Sequence, residues 1–295
     1  GGITFVSPFQ SSHASDNKMF STHMEALKSM KEYIDEIREE YVVLSDSDTA
    51  LTIDISDVIR CHESTSADVT IVTSNVAEGY SAKSPRLMIS SVAGKVTQLA
   101  MSASYDERHP ELALGIYVMK TVHLRKLIEE AEAYDFNSFT MFLLKNCKSQ
   151  SYMTYNYKGF AASVSSFLDY YKYSMELVNN EKARESLLWK KEAPIYTRVH
   201  NSAPTKHSAS AKVENSLIAD ECVIEGTVIN SVIFRDVTIE KGAVVKDCVL
   251  FHGTHICKNA NLNCIVADKD VVVSSGVTLS GNDNMPFYIQ KGRKI

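Results

Sequence analysis

The sequence predicts an α/β domain followed by a parallel β-helix, in which short strands wind into stacked coils. The last third of the chain carries related tetrapeptides at gaps of 15, 17 and 16 residues. Between them an apolar residue returns at every fifth or sixth position, a period that neither a helix nor a single strand produces. Before them, strand-like and helix-like segments alternate, which favours an α/β domain. The tetrapeptides begin at Asn215, Asn230, Asp247 and Asn263.

The apolar period fits a coil with three short faces. Each face would turn one apolar side chain inward, and stacked coils would bury a continuous core. Turn-forming residues are expected at the corners, at Gly226, Gly242, Gly253 and Asn259. The short step resembles that of left-handed hexapeptide β-helices, so the left-handed form is expected by resemblance. The residues expected inside are Val213, Ile218, Ile224, Ile229, Phe234, Ile239, Val245, Phe251, Ile256 and Leu262.

Composition and periodicity divide the chain into three parts. Residues 1–193 are predicted to form the α/β domain, and residues 211–295 the β-helix. Residues 194–210 are predicted to be a linker, because they begin with a proline-containing stretch of little periodicity. Within the first part, residues 19–40 predict one amphipathic helix. The apolar run Tyr41-Val-Val-Leu44 that follows predicts a buried parallel strand.

The composition of the 295 residues is that of an ordinary globular protein with a formal net charge of −5. This charge gives no reason to expect a nucleic acid or an anionic membrane as partner. No apolar run approaches the roughly 20 residues that span a bilayer. Four of the six cysteines lie in the predicted β-helix and no CxxC pair occurs, which favours small core residues over a metal site or a disulfide. A reducing cytoplasm is therefore the expected location.

The order of α/β domain, linker and hexapeptide β-helix resembles that of glucose-1-phosphate adenylyltransferases, the ADP-glucose pyrophosphorylases. By this resemblance the first domain is a Rossmann-like nucleotidyltransferase domain. Lys158-Gly-Phe-Ala161, in place of the family's Trp-Arg-Asp-Val, is similar to the regulatory subunits that Gram-positive bacteria pair with a catalytic subunit in glycogen synthesis. The resemblance is carried by Tyr41-Val-Val-Leu-Ser-Asp-Ser-Asp48, Gly115-Ile-Tyr-Val118, Tyr134-Asp-Phe-Asn137, Pro194-Ile-Tyr-Thr197 and the repeats from Asn215 onward.

The resemblance implies a reaction in which ATP and glucose 1-phosphate give ADP-glucose and pyrophosphate. That chemistry depends on positioned charge, with Mg²⁺ held by carboxylates and cations on the phosphates. The family's glycine-rich phosphate loop has no counterpart in this sequence, which begins with Gly1 rather than Met. We therefore expect the nucleotidyltransferase domain to be N-terminally incomplete.

Aligned with the family's charged positions, this chain carries mostly neutral residues. Ser47 stands at the first metal carboxylate, and Ser102 at the lysine that binds the sugar phosphate. Ala113 replaces a family serine, and Phe160 an aspartate. A neutral hydroxyl cannot supply the charge that a phosphate needs. No catalytic residue is therefore expected.

Several carboxylates and one arginine near these positions have open interpretations. Asp46 and Asp48 flank Ser47 and are expected to point to the opposite face, where they would cap the next turn. Asp135 keeps the second metal carboxylate, either as a weak Mg²⁺ ligand or as a helix cap. Arg86 falls near a family glycine that contacts the sugar nucleotide. Mg²⁺ is thus implied by the resemblance alone.

The favoured hypothesis is a regulatory, largely non-catalytic subunit that associates with a catalytic adenylyltransferase subunit or with itself. The alternative is an active sugar-phosphate nucleotidyltransferase whose upstream segment supplies the phosphate loop. A third option is an acyltransferase, since hexapeptide acyltransferases use a coil histidine as base. For His252 and His255 an exposed turn pair is favoured over that role. His13, His23 and His62 lack metal-ligand spacing, and an effector site is only guessed at Arg198, Lys206 and Arg235.

Overall fold

The computed structural model describes residues 2–6, 22–76, 80–134, 138–191, 193–196 and 201–295. The chain divides into two compact units. The first consists of Gly1–Thr49 with Ile53–Ala161, and the second of Ala50–Thr52 with Ala162–Ile295. This division lies before the domain limit predicted at residue 193, because the two helices between residues 167 and 187 belong to the second unit.

The α/β class of the first part is confirmed by its alternating helices and strands. None of the described helices is long and apolar enough to cross a membrane. The helices in the described ranges are α1 (His23–Ser29), α2 (Lys31–Glu36), α3 (Ile55–Thr65), α4 (Thr121–Ala133), α5 (Phe139–Asn146), α6 (Phe167–Asn179) and α7 (Glu181–Leu187). The strands before the β-helix are β1 (Tyr41–Ser45), β2 (Thr49–Leu51), β3 (Val69–Asn75), β4 (Ser81–Val92), β5 (Lys95–Ser104), β6 (Glu111–Lys120), β7 (Tyr152–Asn156) and β8 (Ala161–Ser163).

The first unit is built on a mixed sheet with the strand order β1-β6-β3-β7-β5-β4. Strand β6 is buried from Glu111 to Met119 and forms the centre of this Rossmann-like region. Strands β3 and β7 run parallel, whereas β1 pairs antiparallel with β6, with Leu44 opposite Tyr117. The residues of β1 are half-buried apart from the exposed Ser45. The prediction of a buried parallel strand at Tyr41–Leu44 was therefore wrong, because an apolar run does not encode the direction of its partner.

The helix predicted over residues 19–40 is two shorter helices, and residues 19–21 lie outside the described ranges. Helix α1 begins after Thr22, whose hydroxyl accepts a hydrogen bond from the Glu25 amide at 3.2 Å. Helix α2 ends where the Arg125 guanidinium donates to the carbonyl oxygens of Ile34, Asp35 and Ile37. These bonds satisfy carbonyl groups that the end of a helix leaves without partners.

The predicted β-helix is confirmed as three parallel five-stranded sheets, each forming one face of the stacked coils. Its handedness stays a prediction from the resemblance. The faces have the strand orders β10-β13-β16-β19-β22, β11-β14-β17-β20-β23 and β21-β18-β15-β12-β9. These strands are β9 (Lys206–His207), β10 (Lys212–Glu214), β11 (Leu217–Ile218), β12 (Val223–Ile224), β13 (Thr227–Ile229), β14 (Val232–Ile233), β15 (Thr238–Ile239), β16 (Val244–Lys246), β17 (Val249–Leu250), β18 (His255–Ile256), β19 (Asn261–Asn263), β20 (Ile265–Ala267), β21 (Val272–Val273), β22 (Thr278–Ser280) and β23 (Phe287–Ile289).

The predicted inward residues are confirmed at five positions and shifted by one residue at three others. The buried residues include Ile224, Ile239, Val245, Ile256 and Leu262, as predicted, whereas Ile218 is half-buried. Where Ile229, Phe234 and Phe251 were expected inside, their neighbours Val228, Ile233 and Leu250 are buried instead.

The shift at two of these positions has two causes: two phenylalanine rings stack on the outside of the coils, and side chains alternate between the two sides of a strand. Phe234 and Phe251 stack on each other with ring centroids 4.8 Å apart, so two large apolar residues are accommodated outside the coils. Since successive side chains of a strand point to opposite faces, their neighbours turn inward. Val213 remains 38% exposed because β10 is the end strand of its sheet.

The corner residues and the fourth repeat also differ in part from the prediction. Gly242, Gly253 and Asn259 have positive φ, as expected for turns, but Gly226 does not. The pairing of Val249 with Val266 places Cys264, rather than Asn263, in line with Asp247. The fourth repeat is therefore displaced by one residue. With this shift, the first residues of all four repeats share a left-handed backbone conformation, with φ between 39° and 52°. These residues are Asn215, Asn230, Asp247 and Cys264.

Helix α6 packs on the β-helix within the second unit. Tyr171 is buried against Val249, Cys264 and Val266. Its hydroxyl donates a hydrogen bond to the carbonyl oxygen of Asp247 at 2.9 Å. This contact covers part of the outer surface of the coils.

Candidate functional site

A cleft in the first unit lies at the end of β1, where the family resemblance places the metal carboxylate. It has a volume of about 380 Å³. Helices α1 and α5 contribute the residues at their N-terminal ends, which Thr22 and Ser138 cap through their hydroxyl groups. The described lining residues are Thr22, His23, Ala26, Asp46, Tyr117, Ser138, Phe139 and Thr140.

Asp46 reaches this cleft across the glycine of β6. Its amide donates to the carbonyl oxygen of Gly115 at 2.9 Å. Gly115 has a φ of +72°, and a Cβ atom there would lie 2.6 Å from the Asp46 Oδ2. A side chain at this position would be strained and would displace the carboxylate. The expectation that Asp46 only caps a turn away from the cleft was therefore wrong.

The carboxyl group of Asp46 is partly desolvated and lies beside basic side chains. Burial raises the pKa of its carboxyl group above the ordinary value, and the nearby His23 and Arg86 oppose this shift while Asp48 adds to it. The Nδ1 atom of His23 lies 3.3 Å from the Asp46 Oδ1. Asp48 forms an ion pair with Arg86 at 3.2 Å. Both carboxylates already have basic neighbours.

The neutral residues at the family's charged positions do not converge on this cleft. Ser47 is exposed in the bend after β1. Ser102 is half-buried on β5, and its hydroxyl donates to the Ser104 carbonyl oxygen at 2.9 Å. Ala113 is buried in β6, and Phe160 is half-buried before β8. Asp135 lies outside the described residues, so its two interpretations remain open.

Ser102 lines a second cleft of about 660 Å³. Here Arg108 and His109 both contact Asp106, at 3.1 Å and 3.0 Å. The Arg108 side-chain hydrogen bond is the largest cause of the lowered pKa of Asp106. Arg108 and His109 are thus already paired with an acid of the same loop, and Lys148 is a further basic residue that lines this cleft. Ser102 and Asp46 belong to separate clefts.

A buried carboxylate at the start of β6 was not singled out from the sequence. Glu111 is 7% exposed and accepts hydrogen bonds from the hydroxyl groups of Thr73, at 2.5 Å, and Ser91. The amide of Asn156 donates to the same carboxylate at 3.3 Å. These donors come from three other strands, so no local pattern could have predicted the cluster. They account for the burial of this acid within the sheet.

The two histidines of the predicted pair on the β-helix have different environments. His252 is exposed, whereas the His255 Nε2 atom lies 2.8 Å from the Glu240 Oε1. Of the four cysteines there, Cys222, Cys248 and Cys264 are buried, as predicted for core residues. The fourth, Cys257, is half-buried beside His255. His255 therefore lies on strand β18 rather than in a turn, although its side chain is partly exposed as expected.

The remaining candidate residues form no site in the described ranges. Lys206 is exposed on β9, and Arg235 is half-buried at a corner. His62 is buried, with its Nδ1 atom 2.8 Å from the Thr70 Oγ1. Arg198 and His13 lie outside the described residues. No effector pocket is assigned to any of them.

Comparisons with known proteins agree with the motifs. Residues 200–286 match the family described as GlmU-like, C-terminal hexapeptide. The chain is 28% identical over 275 residues to the glycogen biosynthesis protein GlgD of Bacillus subtilis, covering 93% of this chain and 67% of that protein. The chain resembles the glucose-1-phosphate adenylyltransferase family. Enzymes of that name from Bacillus cereus and Bacillus anthracis are 26% identical over 291 residues, which cover 97% of this chain and 75% of each enzyme.

The described residues of the first cleft do not fit the Mg²⁺ ion that the adenylyltransferase resemblance implies. Mg²⁺ is held in proteins by ionised carboxylates and water in octahedral geometry. Ser47 does not line the cleft, and the lining carboxylate, Asp46, already lies 3.3 Å from the His23 imidazole. Asp48 is engaged by Arg86. The arrangement can bind polar groups by hydrogen bonds but lacks a second available acid among these residues.

Proposed function

We propose that this chain is a regulatory, largely non-catalytic subunit of a glucose-1-phosphate adenylyltransferase assembly in glycogen biosynthesis. The observation that carries the proposal is the replacement of charge within a scaffold of the same architecture. The sheet, the cleft after β1 and the β-helix are present, while Ser47 and Ser102 stand where the reaction needs an acid and a cation. Similarity to a protein named for glycogen biosynthesis supports the same assignment.

The energetic argument rests on positioned charge. Removing a single preorganised electrostatic contact typically lowers a rate by ~10²–10³-fold. Here the Asp46 carboxyl group is paired with His23, and the Ser102 hydroxyl is bonded to its own strand. The losses should combine, so turnover by this chain alone should be far below that of a catalytic relative.

A regulatory subunit acts by changing the equilibrium of its partner. If the chain binds one conformation of a catalytic adenylyltransferase better than another, it shifts that subunit's affinity for substrates or effectors. The partner we propose is therefore a catalytic adenylyltransferase chain of similar fold. Self-association is the alternative arrangement.

The test compares this chain, a catalytic adenylyltransferase from the same source, and their mixture. Pyrophosphate release is measured with ATP, glucose 1-phosphate and Mg²⁺, and molar mass by light scattering. We expect negligible release by the chain alone, a heavier species in the mixture, and a changed KM or effector response of the partner. The same mass of heat-denatured chain serves as the control.

Two outcomes would overturn this assignment. Robust pyrophosphate release by the chain alone, comparable to that of the catalytic subunit, would favour the active nucleotidyltransferase instead. A mixture that shows neither a complex nor any change in kinetics would remove the regulatory role.

A further inference from the structure

An outward-facing group on the β-helix combines three different metal-ligating side chains. The ladder between β15 and β18 pairs Ile239 with Ile256, and both side chains are fully buried. Because side chains alternate along a strand, Glu240, His255 and Cys257 turn to the outside. Glu240 follows β15 and Cys257 follows β18, so they occupy equivalent positions in adjacent coils.

The ligand atoms of this group are close together before any ion is added. One ligand atom each from Glu240, His255 and Cys257 lies within 4.8 Å of the other two. The carboxylate is held in place by the His255 Nε2 at 2.8 Å and by the Lys258 amide, which donates at 3.0 Å. The Glu240 carboxylate is thus oriented by two contacts from the adjacent coil before any ion binds.

We propose that Glu240, His255 and Cys257 bind a divalent transition-metal ion of the zinc type. A thiolate, an imidazole and a carboxylate are all ligands that Zn²⁺ accepts, whereas Mg²⁺ and Ca²⁺ select oxygen alone. Tetrahedral bonds of about 2.0–2.3 Å place ligand atoms about 3.3–3.8 Å apart. Small side-chain rotations from the present spacing therefore suffice, and all three residues are partly open to solvent.

Binding is balanced in charge. The Cys257 thiol gives its proton to solvent, and the thiolate forms a bond with the ion. His255 binds through Nε2 as the neutral imidazole: the proton that Nε2 donates to Glu240 is given to solvent, Nδ1 carries the ring N–H, and Nε2 forms a bond with the ion. The thiolate and the Glu240 carboxylate together carry two negative charges, which neutralise the dication. A solvent molecule completes the fourth position, because the group lies at the surface.

The position of Cys257 distinguishes it from the other cysteines of the β-helix. Cys222, Cys248 and Cys264 are buried and act as small core residues. In the described ranges, the group at Cys257 is the one set of three His, Cys, Asp or Glu side chains with ligand atoms this close. An ion there would join two adjacent coils through their outer surface.

The test uses the untagged full chain after metal removal by a chelator and dialysis. Zn²⁺ is titrated by calorimetry, and Co²⁺ by absorption, because a thiolate bound to Co²⁺ gives an intense sulfur-to-metal charge-transfer band. We expect one equivalent of Zn²⁺ per chain and the charge-transfer band with Co²⁺. Cys257→Ser should abolish the band, and Cys257→Ser, His255→Asn and Glu240→Gln should each weaken Zn²⁺ binding by at least about 10-fold.

Matched variants separate this site from adventitious binding. His252→Asn changes an exposed histidine three residues before His255, and Cys61→Ser changes a half-buried cysteine on α3. Both should bind Zn²⁺ and Co²⁺ like the parent chain. No stoichiometric binding by the parent would overturn the proposal. So would Zn²⁺ affinity that is unchanged in Cys257→Ser and His255→Asn, provided that thermal unfolding shows these variants to be folded.

Discussion

Asp46 shows how a single residue can be placed by a distant one. It follows β1 in the chain, but its position depends on Gly115 of β6, where any side chain would meet the carboxylate. Burial then shifts its pKa upward, and His23 from α1 supplies the nearest opposing charge. The cleft therefore contains an acid that is partly desolvated and already in contact with a histidine.

A pH-dependent stability measurement tests this environment through Asp46→Asn. Because the folded-state pKa of Asp46 is raised, the native protein keeps its proton where the unfolded chain has lost it, and stability falls as pH rises through that window. The neutral asparagine removes this penalty. The free energy of unfolding of the variant, relative to that of the parent, should therefore be higher at about pH 7 than at about pH 4, which is near the ordinary pKa of aspartate. Urea unfolding at both pH values measures the difference.

The neighbouring carboxylate provides the control. Asp48 pairs with Arg86, so Asp48→Asn loses an attraction at about pH 7 and should be neutral or destabilising by up to about 1 kcal/mol. If Asp46→Asn shows the same difference from the parent at both pH values, the pKa of Asp46 is not raised and its burial does not have the assigned effect.

At the scale of elements, the β-helix is held by columns of stacked side chains. One column runs through Val213, Val228, Val245, Leu262 and Leu279, which the parallel ladders place in register. Its inner members are fully buried, while Val213 at the end strand is 38% exposed. The same residue type therefore contributes differently according to its place in the stack.

Alanine substitutions of two valines in this column test that difference. Val245→Ala removes fully buried methyl groups and should destabilise the β-helix by about 1.5–3 kcal/mol. Val213→Ala should cost less than half as much, because its side chain is already partly hydrated. Urea unfolding followed by circular dichroism gives both values. Equal losses would contradict the importance of interior position in the column.

At the scale of the whole molecule, the chain divides into two compact units, and the main division falls after residue 161. The second unit contains helix α6, whose Tyr171 is buried on the β-helix near Val249 and Val266. A β-helix without this helix would expose those apolar side chains to water. The compact second unit therefore includes helix α6 as well as the coils of the β-helix.

Two fragments test whether the second unit begins after residue 161, as in the structure, or after the predicted domain limit at residue 193. A fragment of residues 162–295 retains the Tyr171 contact, whereas residues 194–295 lack it. We expect the longer fragment to melt at a higher temperature and to bind less of a fluorescent apolar dye, because the patch on the coils stays covered. Differential scanning calorimetry and dye fluorescence measure both effects. Identical melting and dye binding would favour the boundary predicted at residue 193.

The sequence by itself determined the architecture and the family resemblance, because both are written in local order. A period of five or six residues can be read along the chain, and motifs such as Gly115-Ile-Tyr-Val118 need no knowledge of contacts. It also identified Ser47 and Ser102 as neutral residues at charged positions. The prediction of which side chains point inward was wrong at Phe234 and Phe251. Two adjacent apolar residues compete there for the same inward position, and only packing selects between them.

Tertiary structure alone decided which distant side chains meet. The pairing of His23 with Asp46 joins different elements, as does the hydrogen bonding of Glu111 by Thr73, and no spacing rule links such positions. Glu240 and His255 were also brought together by the stacking of coils, whose repeat length is visible in the sequence but whose register is not. Contacts between elements depend on register and strand direction, and these are set by the cooperative packing of the core.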